Sequence, residues 1–385
     1  MKNTIFYLDN AATSFPKPKI VTKEVAKCLN HYCGNAGRGS HKLSLLAAEK
    51  IYECREQICA LINTPSPESV VFVPSCTYGL NLIIKGILEA GDHVLISDME
   101  HNSVLRPIKK LAQEGKITYD VFPALALADK SDEAIISNIK NKLCKNTKLL
   151  ICNHQSNICS FSLPVEKIGA LCKQMGIIFA LDVAQSVGHL PIDMQKMNIN
   201  FLSAPAHKGL YGIQGSGFVA INSKNMLKTL VEGGSGVLSL DSEMPSFLPE
   251  RHESGTLPLP SIAGLCEGIK EIQKRNIPSI FEHEKELFLH LKEGLLNINK
   301  TTVYEPNFVG STLSFNVGGI SAERICSLLS NENICVRSGF HCSPLAHTSL
   351  GTIENGTVRV SFGIFNTKTD VDKLLTAISK IKSEL

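Results

Sequence analysis

A strand-like run from Ile177 to Gln185, IIFALDVAQ, delivers Asp182 at its carboxyl end and Gln185 three residues later. Twenty-six residues after Asp182, the segment SAPAHKGLYGIQGSG sets His207 and Lys208 behind a short apolar run and ahead of a glycine-rich turn. A lysine desolvated in such a place can form a Schiff base. An aspartate paired with a pyridine nitrogen keeps that ring protonated and able to accept electrons, so the two residues together point to pyridoxal phosphate. Asp182 capping an ordinary turn is the plainer alternative. A second His-Lys dipeptide, His41 and Lys42, lacks an aspartate-bearing strand upstream, so only Lys208 has the right context.

Four further segments could complete such a site. VVFVPSCTYGLNLIIKG reads as strand, turn and a helix beginning near Thr77, whose free amides and dipole suit a phosphate; an ordinary strand-to-helix turn capped by Ser75 or Thr77 is the alternative. His101, in SDMEHNSVLRP, follows another strand, where an imidazole can stack on a planar ring and move protons, or be a loop residue only. ICVRSGFHCSPLAHTSLG is a loop by its Gly, Ser and Pro content, and it exposes Cys342 beside His341 and near Arg337. Cationic or hydrogen-bonding neighbours make a loop thiol a nucleophile rather than a core filler. A metal site of His341, Cys342 and His347 is the rival reading of that loop. Arg359, in TVRVSFG, has the planar fork that grips a carboxylate through two hydrogen bonds.

The elements that must position these residues alternate. Strand-like runs at Val70 to Val73, His93 to Ile96, Leu149 to Cys152, Ile177 to Leu181, Phe201 to Leu202 and Gly217 to Ile221 are mostly separated by helical patterns. One such helix keeps Leu43, Ala47, Ile51, Cys54, Ile58 and Leu61 on one face. Alternation of this kind predicts an α/β fold, a mostly parallel sheet covered on both faces, with ligands where strands end and helices begin. Leu257 to Pro260 punctuates the chain, and beyond it the strand-like VGSTLSFNV, a helix around Ala322 to Leu329, TVRVSFG and a final helix from Thr369 to Ile381 suit a smaller α+β domain. The expected division is residues 15 to 257 as the large domain, with 1 to 14 and 258 to 385 as the small one.

Composition narrows the function classes. The 385 residues are 43% hydrophobic and 19% charged, enough to build cores rather than disorder. A net charge of +3 without long basic blocks gives no footprint for nucleic acid. No run approaches the roughly 18 apolar residues of a membrane helix, and MKNTIFYLDNAATSF has no signal-peptide core, so the expected location is the cytoplasm. Thirteen cysteines contain no C-x-x-C pair, and Cys28, Cys59, Cys172 and Cys326 sit in helix-like apolar patterns, as buried fillers do.

Taken in order, YLDNAATSFPKP, GNAGRGSHKLS, SCTYGLNL, SDMEHNSVLRP, the HQSN segment, LDVAQS, AHKGLYG, ESGT, RSGFHCSP and GTVRVSFGIFNT resemble the class V aminotransferase family. Within it they resemble the group II, SUF-like cysteine desulfurases, over nearly the whole chain. The resemblance implies a fold type I pyridoxal-phosphate homodimer with a seven-stranded sheet and a small domain built from both chain ends. It implies that Lys208 carries the cofactor and moves protons, Asp182 pairs with the pyridine nitrogen, Gln185 bonds the phenolic oxygen and His101 stacks on the ring. Cys76, Thr77 and His207 would hold the phosphate end, with Gly255 and Thr256 reaching across from the other subunit. Asn157, Arg359, Arg337 and Arg38 would bind the substrate, L-cysteine, with Arg359 taking its carboxylate. Cys342 would attack the substrate sulfur, leaving alanine and a persulfide for a sulfur-acceptor protein, most often in iron–sulfur cluster assembly.

The chain departs from the family at Pro205 and Ala206, where relatives carry a hydroxyl residue and glycine, at Ser160 and Phe161, where glycine and threonine are expected, and at Phe340, where histidine is common. Two alternatives follow. One is a selenocysteine lyase, or another lyase or aminotransferase of a small amino acid, for which Cys342 is dispensable. The other is a catalytically weak relative that acts as a scaffold in sulfur trafficking.

Overall fold

The structure, a computed structural model, describes residues 4–37, 39–127, 130–224, 227–304 and 309–383. Along the chain it runs β1 (Phe6–Tyr7), α1 (Lys19–His31), α2 (Lys42–Ile62), β2 (Val70–Val73), α3 (Cys76–Ile87), β3 (His93–Ser97), α4 (Asn102–Gln113) and β4 (Thr118–Phe122). Then come α5 (Asp132–Lys142), β5 (Thr147–Asn153), α6 (Val165–Met175), β6 (Ile178–Asp182), β7 (Phe201–Pro205), β8 (Gly217–Ile221), α7 (Leu259–Arg275) and α8 (Ile277–Leu296). The remainder is β9 (Thr301–Tyr304), β10 (Thr312–Val317), α9 (Ala322–Asn331), β11 (Ile334–Cys335), β12 (Arg337–Gly339), α10 (Pro344–Ser349), β13 (Thr357–Ser361) and α11 (Lys368–Ser383).

A seven-stranded sheet of order β2-β8-β7-β6-β5-β3-β4 forms the centre, parallel except where β8 pairs antiparallel with β2 and β7. The period of two in each strand sorts side chains to opposite faces. Leu150, Phe179, Leu181, Leu202 and Phe218 meet α2, α5, α6 and α7 on one face. Leu149, Ile151, Ile178, Ala180 and Phe201 meet α3 and α4 on the other. Both faces being covered explains why the inner strands read as continuous apolar runs. The edge strand β4 has only Phe122 fully buried, which is why its sequence did not announce a strand.

A second, four-stranded sheet of order β12-β13-β10-β9 packs with α8, α9 and α11 around Phe288, Phe315, Val358, Val360 and Leu374, and Leu8 from the N-terminal segment joins this core. The change of core comes later than residues 257 and 258. α7 lies against α1 and α2, and its Ile262, Leu265, Cys266 and Ile269 fill the large core. Within α8, Ile280 still belongs to that core and Leu287 to the small one, because the helix passes from one sheet to the other. No helix among the described residues is long and apolar enough to cross a membrane.

Candidate active site

The carboxyl ends of the parallel strands converge. Asn153 ends β5 and Asp182 ends β6, paired in register, and Ser203 of β7 pairs with Asp182 from the other side. Lys208 lies three residues past β7 and His101 four past β3, so both fall on loops at this same edge. A cavity of about 110 Å³ lies there, lined among others by Cys76, Thr77, His101, Asn157, Asp182, Gln185, His207 and Lys208. The site gathers residues scattered over more than 130 positions, because every βα loop of a parallel sheet opens on the same side.

Asp182 is 5% exposed. Its Oδ1 accepts from Ala184 N–H at 2.9 Å and from the Cys76 thiol at 3.6 Å. Burial raises its pKa, and the Ala184 amide, Lys208 and Cys76 oppose that rise. Burial lowers the pKa of Lys208, while Asp182 pulls it back up. No hydrogen bond ties down the Lys208 amine among the described residues. The turn around it is tight: a Cβ on Gly209 would lie 2.3 Å from the Val187 carbonyl oxygen, so the residue after Lys208 has to be glycine.

His101 caps α4 through Nδ1, which accepts from Ser103 N–H at 3.1 Å. That bond leaves the ring proton on Nε2 in the neutral form. Burial and then Lys208 push the pKa of His101 down to about 4. Ser103 Oγ shares hydrogen bonds with His101 Nδ1 at 2.8 Å and with Thr77 Oγ1 at 2.7 Å, which links the start of α3 to the imidazole. Ser75 caps α3 by accepting from Tyr78 N–H at 3.2 Å. The first residues of α3 therefore border the cavity with their amides unspent by strand pairing, an environment suited to an anion.

The N-terminal segment braces the far side. Gln185 Nε2 donates to the Ala11 carbonyl at 3.1 Å, and His207 Nδ1 pairs with Thr13 Oγ1 at 3.1 Å. The His207 carbonyl, whose peptide leads into Lys208, accepts from Ser14 N–H at 3.0 Å and from Lys17 Nζ at 2.8 Å. Burial and then Lys208 lower the His207 pKa to about 4. Burial lowers that of Lys17 to about 8.

Cys342 is exposed and does not line the cavity; it belongs to a loop fixed at the cavity's Asn157 edge. The Cys342 carbonyl accepts from Asn102 N–H, next to His101, at 2.7 Å. His341 stacks on His347 with ring centroids 5.7 Å apart, and Phe340 meets His347 edge-on. His341, Cys342 and His347 do not converge as ligands. Among the described residues only Glu53, Cys266 and Glu267 come close enough together to hold an ion. There, Lys50 and Lys270 already bond Glu267, each at 2.8 Å.

Other expected residues stand apart. Arg359 Nη2 bonds Asp9 Oδ1 at 2.7 Å and Nη1 the Asn157 carbonyl at 3.2 Å, while its buried Nε has no partner. Neither Arg359 nor the exposed Arg337 lines the Lys208 cavity. Gly255 and Thr256 line a different cavity of about 690 Å³, beside Arg55 and Glu253. Arg38 lies outside the described residues. Ser160 takes a left-handed φ of 56°, as the glycine expected there could, and its hydroxyl both donates to and accepts from Thr312 at 2.8 Å. Phe161 packs in the large core, and neither residue itself lines the Lys208 cavity.

Sequence reasoning passed over several residues. Glu100, fully buried, accepts from Ser97 Oγ and from Asn153 N–H at 3.0 Å, and its Oε2 has no partner. Burial raises its pKa to about 8. Asn153, Ser103, Ser343 and Lys17 were likewise missed, although each sits within or beside a recognised motif.

The chain belongs to the class V aminotransferases: the family model "Aminotransferase class-V" matches residues 6–374. Proteins described as probable cysteine desulfurases are similar to it. That of Pyrococcus abyssi is 31% identical over 99% of this chain and 95% of its own length. That of Methanothermobacter thermautotrophicus is 30% identical over 97% and 94%. The solved apo structure of the cysteine desulfurase from Thermococcus onnurineus has a TM-score of 0.90 at 30% identity, covering 99% of this chain and 95% of that one. These relatives support a pyridoxal-phosphate-dependent cysteine desulfurase function.

The family implies pyridoxal phosphate, and the residues fit it. An untethered amine, a buried carboxylate that a protonated ring nitrogen would stabilise, a neutral imidazole and a helix N-terminus surround one cavity.

Proposed function

We propose that this chain is a cysteine desulfurase that takes sulfur from L-cysteine onto Cys342 and releases L-alanine. The observation that carries the reading is the shared cavity of Lys208 and Asp182 at the foot of the loop that presents an exposed Cys342. When bound, pyridoxal phosphate supplies an electron sink for charge developing at the substrate's α carbon.

The chain's own groups divide the remaining work. Lys208 would hold the cofactor and move protons at the substrate, burial lowering its pKa and so favouring the free amine that a base needs. Lining the same cavity, Asp182 would pair with the ring nitrogen, His101 would stack on the ring, Gln185 would bond the phenolic oxygen, and Cys76, Thr77 and His207 would hold the phosphate end. Arg359 would take the substrate carboxylate, with Arg337 and Arg38 as further cations. Cys342 forms a bond to the substrate sulfur as the Cβ–S bond breaks, so L-cysteine and a thiol become L-alanine and a persulfide. A sulfur-acceptor protein then removes the outer sulfur.

The enzyme works as a homodimer on this reading. Gly255 and Thr256 stand at the second cavity, which the exposed Tyr52 also lines, and would serve the partner's phosphate. We place it in the cytoplasm.

The test is L-cysteine turnover with a reductant present, scoring alanine and sulfide for the wild type and Cys342→Ala. The reading predicts both products from wild type and a loss of about a hundredfold or more in the variant. A cofactor-loaded wild type that makes no alanine from cysteine defeats it.

A further inference from the structure

The nucleophile loop passes through two consecutive left-handed residues, His341 at φ 48° and Cys342 at φ 59°. Side-chain-bearing residues keep such a conformation only where their surroundings over-determine it. One side-chain amide supplies much of that constraint. Asn157 Nδ2 donates to the His341 carbonyl at 2.7 Å, and Asn157 Oδ1 accepts from Ser343 Oγ at 2.8 Å. Each end of the amide therefore bonds a residue flanking Cys342, and a flip would set Oδ1 against a carbonyl oxygen. Asn157 is 5% exposed and Ser343 0%, so water does not compete for these bonds. The Asn157 carbonyl is held in turn by Arg359 Nη1 at 3.2 Å, which joins the loop to β13.

We infer that Asn157 and Ser343 form a clamp that holds Cys342 at the edge of the Lys208 cavity, with Ser343 a positioning residue acting through Asn157. This rests on the reading of Cys342 as the sulfur-accepting nucleophile.

Two variants of the cofactor-loaded enzyme test it. Ser343→Ala removes the hydroxyl donor. Asn157→Asp keeps an acceptor for Ser343 but sets a carboxylate oxygen against the His341 carbonyl. The first readout needs no turnover: the rate of Cys342 alkylation by iodoacetamide, resolved by peptide mass spectrometry because Cys33 and Cys144 are also exposed. The second is single-turnover persulfide formation on Cys342 from L-cysteine, beside the cofactor absorbance and thermal unfolding.

Alkylation of the exposed Cys342 should change about threefold or more in both variants as the thiol leaves its fixed setting. Persulfide formation should slow about tenfold or more, with KM for L-cysteine and the cofactor band of Ser343→Ala unchanged. Alkylation within about twofold of wild type in both variants overturns the clamp, since the clamp is what fixes that setting. Slower persulfide formation in Asn157→Asp alone, with Ser343→Ala behaving as wild type, also overturns it, because Asn157 then acts on the substrate directly. A wild type that forms no persulfide, with the alkylation change present in both variants, leaves the clamp standing and defeats the desulfurase reading instead.

Discussion

The backbone N–H of Asn102 donates to the Cys342 carbonyl oxygen at 2.7 Å, which ties the Cys342 loop to the residue directly after His101. A bond between two main chains cannot be removed by trimming a side chain, but proline removes it here. Asn102 is the first residue of α4, where proline is tolerated, and His101 at φ −70° and ψ 154° already has the extended shape that must precede proline. Asn102→Pro should unfold within about 1 kcal/mol of wild type yet slow alanine formation about tenfold. Chemical denaturation and single-turnover assays check both halves; normal turnover would show that the loop needs no anchor at α4.

Glu100 should make stability fall with rising pH. Its folded pKa of about 8 stands above the ordinary 4.5 because the carboxyl is fully buried. The folded state thus binds the proton more tightly. Its contribution is complete below the unfolded value and is lost as pH climbs from about 4.5 to about 8, by at most roughly 1.4 kcal/mol per pH unit. Glu100→Gln should flatten this slope, so that the variant gains on wild type between pH 5 and about 8 in urea unfolding series. Parallel curves would place the Glu100 pKa at its ordinary value.

His189 and Glu284 make the opposite kind of buried titration, a charged pair 2.8 Å apart that connects the loop behind Gly209 to α8. Burial by itself would lower the His189 pKa, but the Glu284 carboxylate outweighs it and the pKa is raised. The pair's stabilisation is therefore complete below the unfolded histidine value of about 6.5 and is lost as pH rises through the higher folded value. Glu284→Gln should cost about 2 kcal/mol or more at pH 6 and less at alkaline pH. Thermal unfolding across pH 6 to 9 reads the difference, and a cost that does not change with pH would mean that His189 stays neutral.

Ser160 carries two costs that substitution can separate. Alanine would keep the left-handed φ of 56° and orphan both Thr312 backbone groups; glycine would orphan them but relax the backbone. Ser160→Ala should destabilise by about 2 to 4 kcal/mol, and Ser160→Gly by about 1 kcal/mol less. Equal losses in denaturant titrations would show that the backbone conformation is not strained.

Much of this architecture could be read from the chain. The inner strands announced themselves as apolar runs because both faces of the sheet are covered, and α2 by one apolar stripe from Ala47 to Ile58. Asp182, Lys208, Thr77 and His101 were legible because each follows a strand, and in a parallel sheet strand ends share one edge. The half-exposed β4 left little pattern, and α7 was assigned to the wrong core, since a helix's stripe shows that it packs but not against what.

What the order of residues settled was the chemistry available: an amine, a carboxylate, an imidazole and an exposed thiol, each next to a turn. What only tertiary structure decided was which groups are free to use it. Asn157 and Arg359 emerged bound to the Cys342 loop and to Asp9, His101 with its pKa lowered by burial and its tautomer set by Ser103, and Glu100 buried with one oxygen unmatched. Gly255 and Thr256 came to a separate cavity. The reason is physical: a motif fixes what a side chain can donate or accept, whereas its partners, burial and proton affinity come from neighbours brought together over distances that local sequence does not encode.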